Sequence, residues 1–197
     1  AWIRMLNGGT IPVVPAKGSV GASGDLVPLA HVGLVLIGEG EAFFDGRRIS
    51  GQEALAICGL KPLKLEAGEG LAMINGTQAM TAIGGLAVYD AARLARHTDL
   101  AAAMSLEVLM GSKTEIDPRI HQMRPHPGQA VAADNMDRLT RRSEIISSHQ
   151  DCKRIQDAYT LRCSPQVHGA TKDTVTHCHR VIETVMNLST NNPLIFF

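Results

Sequence analysis

A glycine-rich stretch, residues 18–28 (GSVGASGDLVP), most constrains how this chain can fold. Its three glycines are spaced three residues apart (Gly18, Gly21, Gly24), and glycine reaches positive φ angles because it has no Cβ to clash. A short extended apolar run precedes the stretch, and a longer apolar run, 29–37, follows it. The pattern predicts a tight backbone loop between an extended segment and a buried helix.

Three interpretations of this loop differ in their chemistry. Successive N–H groups ahead of a helix can bind phosphate, but a Walker-type loop ends in Gly-Lys-Ser/Thr, and here the anionic Asp25 follows Gly24. Alternatively, the Gly24 nitrogen can attack the carbonyl carbon of Ala22, and Ser23 can lose its hydroxyl as water, which leaves an electrophilic ring. The third interpretation is a plain turn in which Asp25 caps the following helix. The residue types disfavour the phosphate site and leave the other two open.

The amino-acid sequence around the loop resembles that of a known family. Residues 13–31 (VVPAKGSVGASGDLVPLAH) closely resemble the signature of the aromatic amino acid lyases. The resemblance continues, in order, through residues 69–78 (EGLAMINGTQ), 156–166 (QDAYTLRCSPQ) and 190–193 (TNNP). It therefore covers nearly the whole chain.

In that family, an Ala-Ser-Gly tripeptide cyclises autocatalytically to 4-methylidene-imidazol-5-one. This electrophile binds the substrate amine and turns it into a better leaving group, which is covalent catalysis. The resemblance implies that Ala22, Ser23 and Gly24 form the cofactor here, with no metal and no nucleotide. It also implies that Asp25 supports the cofactor, a role that its position shares with helix capping.

Four further residues are candidates for the site. On residue type alone, Asn75 fits a helix cap, Tyr159 fits a proton carrier or a core aromatic, and Arg162 fits a partner for a substrate carboxylate or a surface acid. The spacing of Gln156, Tyr159 and Arg162 predicts one helical turn with the first two on one side. The resemblance implies that Asn75 binds substrate beside the cofactor and that Arg162 anchors its carboxylate. It gives Gln156 a substrate-binding role and Tyr159 a catalytic one.

Two departures from the family pattern affect the expectation. Asn191 stands where the family usually has Asp ahead of Asn192 and Pro193, so an ion pair made there is lost. The family's catalytic base lies far upstream of the Ala-Ser-Gly loop, and further pocket residues lie downstream. The chain opens without Met and ends in an apolar run, so we expect an internal portion of a longer protein, without its N- and C-terminal portions. These residues alone are expected to have little or no lyase turnover.

The composition of the chain indicates which kinds of partner to expect and in which cellular compartment the protein works. Nineteen basic and nineteen acidic side chains give zero formal net charge, so nucleic acid is not an expected partner. The longest apolar runs are about ten residues, below the roughly 20 needed to span a bilayer, so no membrane partner is expected. Four cysteines without paired spacing predict reduced thiols in the cytoplasm. The sequence His177-Cys178-His179 lacks the second ligand pair of a zinc site, and no metal site is predicted.

Apolar periodicity and the low aromatic content, 4%, predict a mainly all-α fold. We expect a single domain over residues 1–197, the central part of a lyase catalytic domain, and the resemblance implies long helices in a central bundle. Helices are predicted at 29–37, at 76–111 with a break near Thr98-Asp99, at 129–142, and at 166–188, the last possibly the longest. A small β-hairpin is predicted near 41–49, with its turn at Asp45-Gly46, and a capping box at 50–53.

The resemblance implies a function. It predicts an ammonia-lyase that deaminates L-histidine non-oxidatively to urocanate and ammonia, and that assembles as a homotetramer with each active site drawn from more than one subunit. Gln78 and the amino-acid sequence of residues 156–169 favour the histidine ammonia-lyase branch of the family. A phenylalanine or tyrosine ammonia-lyase, or an aminomutase, is the alternative for this aromatic amino acid substrate. From another class, a catalytically inactive helical assembly module would leave the tripeptide as ordinary backbone.

Overall fold

The computed structural model describes residues 1–19, 21, 22, 24–192, 194 and 196. The chain divides into two compact units: residues 1–84 with 184–197 form the first, and residues 85–183 form the second. Each unit has a hydrophobic cluster of its own. The sequence predicts one domain over residues 1–197. That remains a prediction, because the division into two compact units does not show whether either unit folds by itself.

The first unit combines short helices with a small sheet. In chain order its elements are α1 (Trp2–Asn7), β1 (Ile11–Pro12), α2 (Leu26–Leu36), β2 (Glu41–Phe44), β3 (Arg47–Ser50), α3 (Gly51–Ile57) and α4 (Glu69–Ile74). The long helix α5 (Gln78–Val108) begins in this unit.

The second unit is helical throughout its described elements. It contains most of α5, a 3₁₀ turn (Thr114–Ile116), α6 (Pro118–Met123), α7 (Pro127–Leu139), α8 (Glu144–Ser147), α9 (Tyr159–Arg162) and most of α10 (Ser164–Met186). The prediction of a mainly helical fold with a little β structure is confirmed.

The predicted hairpin forms and gains a third strand. Strands β2 and β3 pair antiparallel, and their turn residues Asp45 and Gly46 have φ angles of 47° and 73°. Positive φ at both central residues is what a two-residue hairpin turn of type I′ requires. Strand β1 adds to the other edge of β2, with Ile11 opposite Phe43. The sequence did not predict β1, because a two-residue strand ending in proline carries no alternating pattern.

The core of the first unit fixes the helix that follows the glycine loop. Val35 and Leu36 of α2 are buried with Leu55 of α3 and Met5 of α1, and Ala42 of β2 completes the contact. Helix α2 begins at Leu26, three residues before the predicted start. Proline is tolerated in the first turn of a helix because its missing N–H would have no partner there. The loop therefore leads directly into a packed helix.

Two helix predictions are wrong in detail. Helix α5 is continuous through Thr98-Asp99, where a break was predicted. The polar pair is satisfied inside the helix, because the Thr98 hydroxyl donates to Ala95 O at 2.9 Å and the Asp99 carboxylate has partners on other helices. Helix α10 spans 23 residues and α5 spans 31, so α10 is long but not the longest.

Asp99 is the centre of a buried polar cluster in the second unit. Its side chain is 1% exposed and accepts from Asn135 Nδ2 of α7 at 2.7 Å. Two groups of α10 also contact it: His168 Nδ1 at 3.0 Å and Lys172 Nζ at 2.9 Å. The carboxylate therefore joins α5, α7 and α10 through hydrogen bonds to charged or polar partners.

The stretch 69–108, which comprises α4 and α5, is long and apolar enough to cross a membrane by length and composition alone. The sequence-based expectation concerned uninterrupted apolar runs, whereas this stretch reaches the required length only when hydropathy is averaged over a helix that also contains polar residues. Only 17% of its most apolar window is buried within the chain. The core helix of a soluble protein passes the same test, so one such helix is weak evidence for a membrane span.

Candidate active site

The loop that carries the tripeptide folds back on itself. The Ala22 N–H donates to Gly24 O at 3.1 Å, and Gly21 and Asp25 form an isolated antiparallel bridge across it. Gly24 has a φ of +120°, which side-chain-bearing residues rarely adopt. Ser23, the predicted source of the methylidene group, lies outside the described residues. The backbone on both sides of it forms the tight loop that the sequence predicted.

The loop contacts the turn between α4 and α5. A Cβ placed on Gly24 would lie 1.7 Å from Gly76 O and 2.4 Å from the Gly76 carbonyl carbon. Real Cβ atoms never approach a backbone so closely, so residue 24 must be glycine for the two segments to meet. The contact brings the predicted cofactor segment beside Asn75, the residue before Gly76.

Asn75 follows the last residue of α4, and its side chain does not act as a simple cap. Its Nδ2 donates to Asn192 O at 2.6 Å, and the Asn192 N–H donates back to Asn75 O at 3.0 Å. The two residues are 117 positions apart in sequence. Asn75 is thus held by a distant segment of the same unit.

Asp25 occupies the N-cap position of α2 without the predicted capping bond. No helix N–H among the described residues donates to its side chain. Its Oδ1 instead accepts from the Ser19 hydroxyl at 2.7 Å, six residues earlier. The carboxylate therefore closes the glycine loop, and the capping interpretation was wrong about the hydrogen bond.

Two observations test whether a ring formed from residues 22–24 would fit here. The loop approaches Gly76 so closely that only glycine is allowed at position 24. Next to Gly76, the Thr77 hydroxyl is buried and has no hydrogen-bond partner among the described residues. A buried polar atom without a partner is uncommon in a folded protein. Both observations fit a compact polar group at residues 22–24.

The second set of candidates lies in the second unit. Tyr159 and Arg162 are the first and last residues of α9, and the Arg162 guanidinium carbon lies 5.3 Å from the centre of the Tyr159 ring. Arg162 Nε donates to Asp157 O at 3.1 Å. Gln156 precedes the helix in an irregular segment. The predicted helical turn through all three was wrong, because the helix begins only at Tyr159.

Gln156 and Arg162 line one cavity of about 320 Å³. Asp157, which was not among the predicted site residues, also lines this cavity and holds two of its neighbours in place. The Asp157 side chain is 7% exposed, and its Oδ2 accepts from the Ser112 N–H at 2.6 Å. Asp157 lies between Gln156 and Tyr159, within the motif that resembles the lyases. Its position in that motif could have predicted its place in the site. The cavity offers two guanidinium groups and an amide to a small ligand, beside two carboxylates.

A metal-based site has no counterpart in the described part of the chain. No group of three or more His, Cys, Asp or Glu side chains there is placed to hold a metal ion.

A comparison with protein families identifies the family of the chain. The sequence model described as aromatic amino acid lyase matches residues 1–197, which is the whole chain. The chain belongs to the aromatic amino acid lyase family. Its resemblance to that family, inferred from four short motifs, is therefore confirmed over the full length.

Relatives of this aromatic amino acid lyase chain include named enzymes. A histidine ammonia-lyase of Koribacter versatilis is 58% identical over 193 residues, and one of Gloeobacter violaceus is 56% identical over 194. Both alignments cover 98% of this chain but only 37% and 38% of the relatives. The chain thus spans well under half the length of the curated relatives it matches.

Solved structures of the family share the fold. A phenylalanine aminomutase of Pantoea agglomerans superposes with a TM-score of 0.88 at 34% identity, covering 98% of this chain and 40% of that one. A histidine ammonia-lyase of Trypanosoma cruzi superposes with a TM-score of 0.84 at 36% identity, covering 99% and 36%. The helical architecture is therefore that of the family.

Proposed function

We propose that this aromatic amino acid lyase chain belongs to an enzyme that deaminates L-histidine to urocanate and ammonia. Identity of 56–58% to relatives named histidine ammonia-lyase supports the choice of substrate. The contact between Gly24 and Gly76 is the observation that carries the proposal, because it brings the tripeptide segment beside Asn75.

The cofactor proposed for this enzyme is a 4-methylidene-imidazol-5-one made from its own backbone. A bond forms between the Gly24 nitrogen and the Ala22 carbonyl carbon. The Ala22 oxygen leaves as water with the amide hydrogens of Gly24 and Ser23, and the Ser23 hydroxyl leaves as a second water with the Ser23 α-hydrogen. No oxidant or added reagent is needed. The fold-back at residues 21–25 supports this step, since it shortens the loop across which the ring must close.

When formed, the ring would supply an electrophile for the substrate amine. The neighbouring residues have separate tasks in the proposal. The Asn75 amide, held through Asn192, presents hydrogen-bonding groups beside the loop. Gly76 keeps the loop in place by direct contact. Asp25 holds the two ends of the glycine loop together by accepting a hydrogen bond from the Ser19 hydroxyl.

Recognition of the substrate is assigned to the second set of residues. Arg162 uses Nε for Asp157 O, and its two terminal nitrogens can pair with a carboxylate in the bidentate geometry that arginine favours. Gln156 lines the same cavity and adds an amide. Tyr159, 71% exposed in this chain, is assigned proton transfer. The family motif shared by these residues supports assigning them to the same reaction as the tripeptide.

A second candidate function has support of its own. Aminomutases that act on phenylalanine and tyrosine are among the solved structures with similar folds, at 34% and 37% identity. These identities are close to the 36% of the solved histidine ammonia-lyase, so the fold does not separate the substrates. A phenylalanine or tyrosine lyase, or an aminomutase, is therefore the alternative.

We expect the natural full-length protein to show a mass deficit of two water molecules in the peptide that contains Ala22–Gly24. We also expect it to release urocanate from L-histidine. The deficit follows from the two waters lost in ring formation, and mass spectrometry of the intact protein and of its peptides measures it directly.

Other outcomes would contradict parts of this proposal. Cinnamate or coumarate as the product would overturn histidine as the substrate, and a β-amino acid would show an aminomutase. An unmodified tripeptide in the full-length protein would overturn the lyase and favour the inactive helical module.

We also propose that the protein assembles as a homotetramer through the apolar face of α5. Ile83, Leu86, Tyr89 and Leu94 of this helix are each more than 60% exposed within the chain. A row of large exposed side chains on one helix marks a contact surface. Four copies of the chain are the proposed occupants, as the family resemblance implies.

Sedimentation of the full-length protein is expected to give a mass four times that of one chain. Replacing Leu86 with glutamate should shift the distribution to smaller species, because a buried carboxylate would be unpaired. Met123→Glu places the same side chain at an exposed apolar position of α6, outside the proposed interface, and should leave the assembly intact. A monomeric wild type, or equal effects of the two substitutions, would contradict the proposed interface.

A further inference from the structure

The segment Thr190–Asn192 is bound to the turn that follows α4. Four hydrogen bonds join them. Two link Asn192 with Asn75, as described for the site. The third runs from Asn191 Nδ2 to Ala72 O at 3.0 Å, and the fourth from the Thr77 N–H to the Thr190 hydroxyl at 3.3 Å. We call residues 190–192 the strap.

The strap holds both ends of the turn that contacts the cofactor segment. Asn191 binds the last turn of α4, before Asn75, and Thr190 binds Thr77, after Gly76. Between these two anchors lie the Asn75 amide and the Gly76 carbonyl. Gly76 O is the atom against which Gly24 packs. Movement of the strap would therefore move the surface that holds residues 21–25.

We propose that Thr190 and Asn191 are positioning residues that act through Asn75 and Gly76 to hold the Ala22–Gly24 loop in the bend from which its ring forms. Neither side chain is assigned contact with the substrate or the reacting atoms. The catalytic consequence rests on the proposed lyase function, whereas the ordering of the loop can be measured without it.

Asn191 has a chemical reason to be an amide in this chain. Its Nδ2 is a donor, and its partner is a carbonyl oxygen at the C-terminal end of α4, where carbonyl groups lack helical partners. An aspartate carboxylate has no hydrogen to donate. Asparagine at position 191 therefore donates a hydrogen bond to a carbonyl group at the end of α4. The aspartate expected from the family pattern would place a negative charge against the same carbonyl oxygen.

The test uses matched substitutions in the natural full-length protein. Thr190→Val removes the acceptor oxygen while keeping the shape, and Thr190→Ser keeps the oxygen. Asn191→Ala removes the donor, and Asn7→Ala makes the same change at an exposed position at the end of α1. Hydrogen–deuterium exchange is followed in peptides that cover residues 18–28 and, for comparison, the hairpin at 41–50.

We expect Thr190→Val and Asn191→Ala to speed exchange in residues 18–28, by up to about tenfold, which is the effect of losing one hydrogen bond. Exchange in 41–50 should not change. The fraction of protein with the two-water deficit and kcat should fall together, with KM within about twofold, because the sites that do form a ring are intact. Thr190→Ser and Asn7→Ala should behave as the wild type.

Unchanged exchange in residues 18–28 in both disruptive variants would overturn the positioning role. Equal acceleration in 18–28 and 41–50 would also overturn it, since it would show a general loss of stability. A wild type without the two-water deficit would contradict the proposed lyase, but the exchange measurement would still test the strap. The two failures are therefore distinguishable.

Discussion

Replacing Gly24 with alanine is expected to prevent ring formation and to lower lyase activity by on the order of a hundredfold or more. The new Cβ would lie 1.7 Å from Gly76 O, and residue 24 would have to keep a φ of +120°. Neither condition can be met without moving the loop away from the turn at residues 75–77. We expect an unmodified Ala22–Gly24 peptide in mass spectrometry and a loss of about 2 kcal/mol or more in the free energy of unfolding.

Two other glycines of the same loop serve as matched controls. Gly18 has a φ of +93° but open space around its Cβ position, so Gly18→Ala tests backbone strain alone, at about 1 kcal/mol. Gly21 has neither a positive φ nor a neighbour within 4 Å, so Gly21→Ala should change stability by less than about 1 kcal/mol. Both should retain the two-water deficit. Loss of the deficit in all three variants would contradict the specific role of the Gly24–Gly76 contact.

Replacing Asp99 with alanine is expected to cost about 3–5 kcal/mol in the free energy of unfolding. The side chain is 1% exposed and pairs with Lys172 Nζ, which is itself largely buried. Without the carboxylate, the partner left to Lys172 among the described residues is the Ala95 carbonyl, at 2.6 Å, and the charge of Lys172 is no longer balanced. His168 and Asn135 also lose their hydrogen bonds to the carboxylate, which are 3.0 Å and 2.7 Å long. Urea unfolding measures the change.

Two further substitutions separate charge from volume and from helix propensity. Asp99→Asn keeps the volume and should still cost most of the free energy, because the charge of Lys172 stays unbalanced. Asp90→Ala makes the alanine change on the same helix, where the aspartate is 74% exposed and lies 3.9 Å from Arg93. An exposed pair contributes less than about 1 kcal/mol. Equal costs at positions 90 and 99 would show that the buried cluster has no special role in stability.

Asp99 also shows where local patterns mislead. Read along the chain, Thr98-Asp99 predicts a break in a helix, because small polar side chains compete with the backbone for hydrogen bonds. In the structure the Asp99 side chain bonds to groups 36, 69 and 73 positions later, so nothing competes with the helix. Gln156 is the opposite case. A helical spacing exists in the sequence, but the segment before Tyr159 folds around the Asp157 side chain instead.

The amino-acid sequence alone determined the local elements and the family of this protein. The hairpin turn at Asp45-Gly46 and the capping bond at Ser50 form as predicted, since both depend on residues within four positions of each other. The Ala-Ser-Gly motif and its neighbours were enough to place the chain among the aromatic amino acid lyases, as the family match confirms.

Only the tertiary structure decided which distant residues support the candidate site. The contact of Gly24 with Gly76 and the bonds from the strap to Asn75 and Ala72 join segments about 50 to 120 positions apart. Such contacts depend on how packed helices bring their ends together, and no periodicity along the chain encodes them. The sequence named Asn75 and Gly24 separately, and packing made them neighbours.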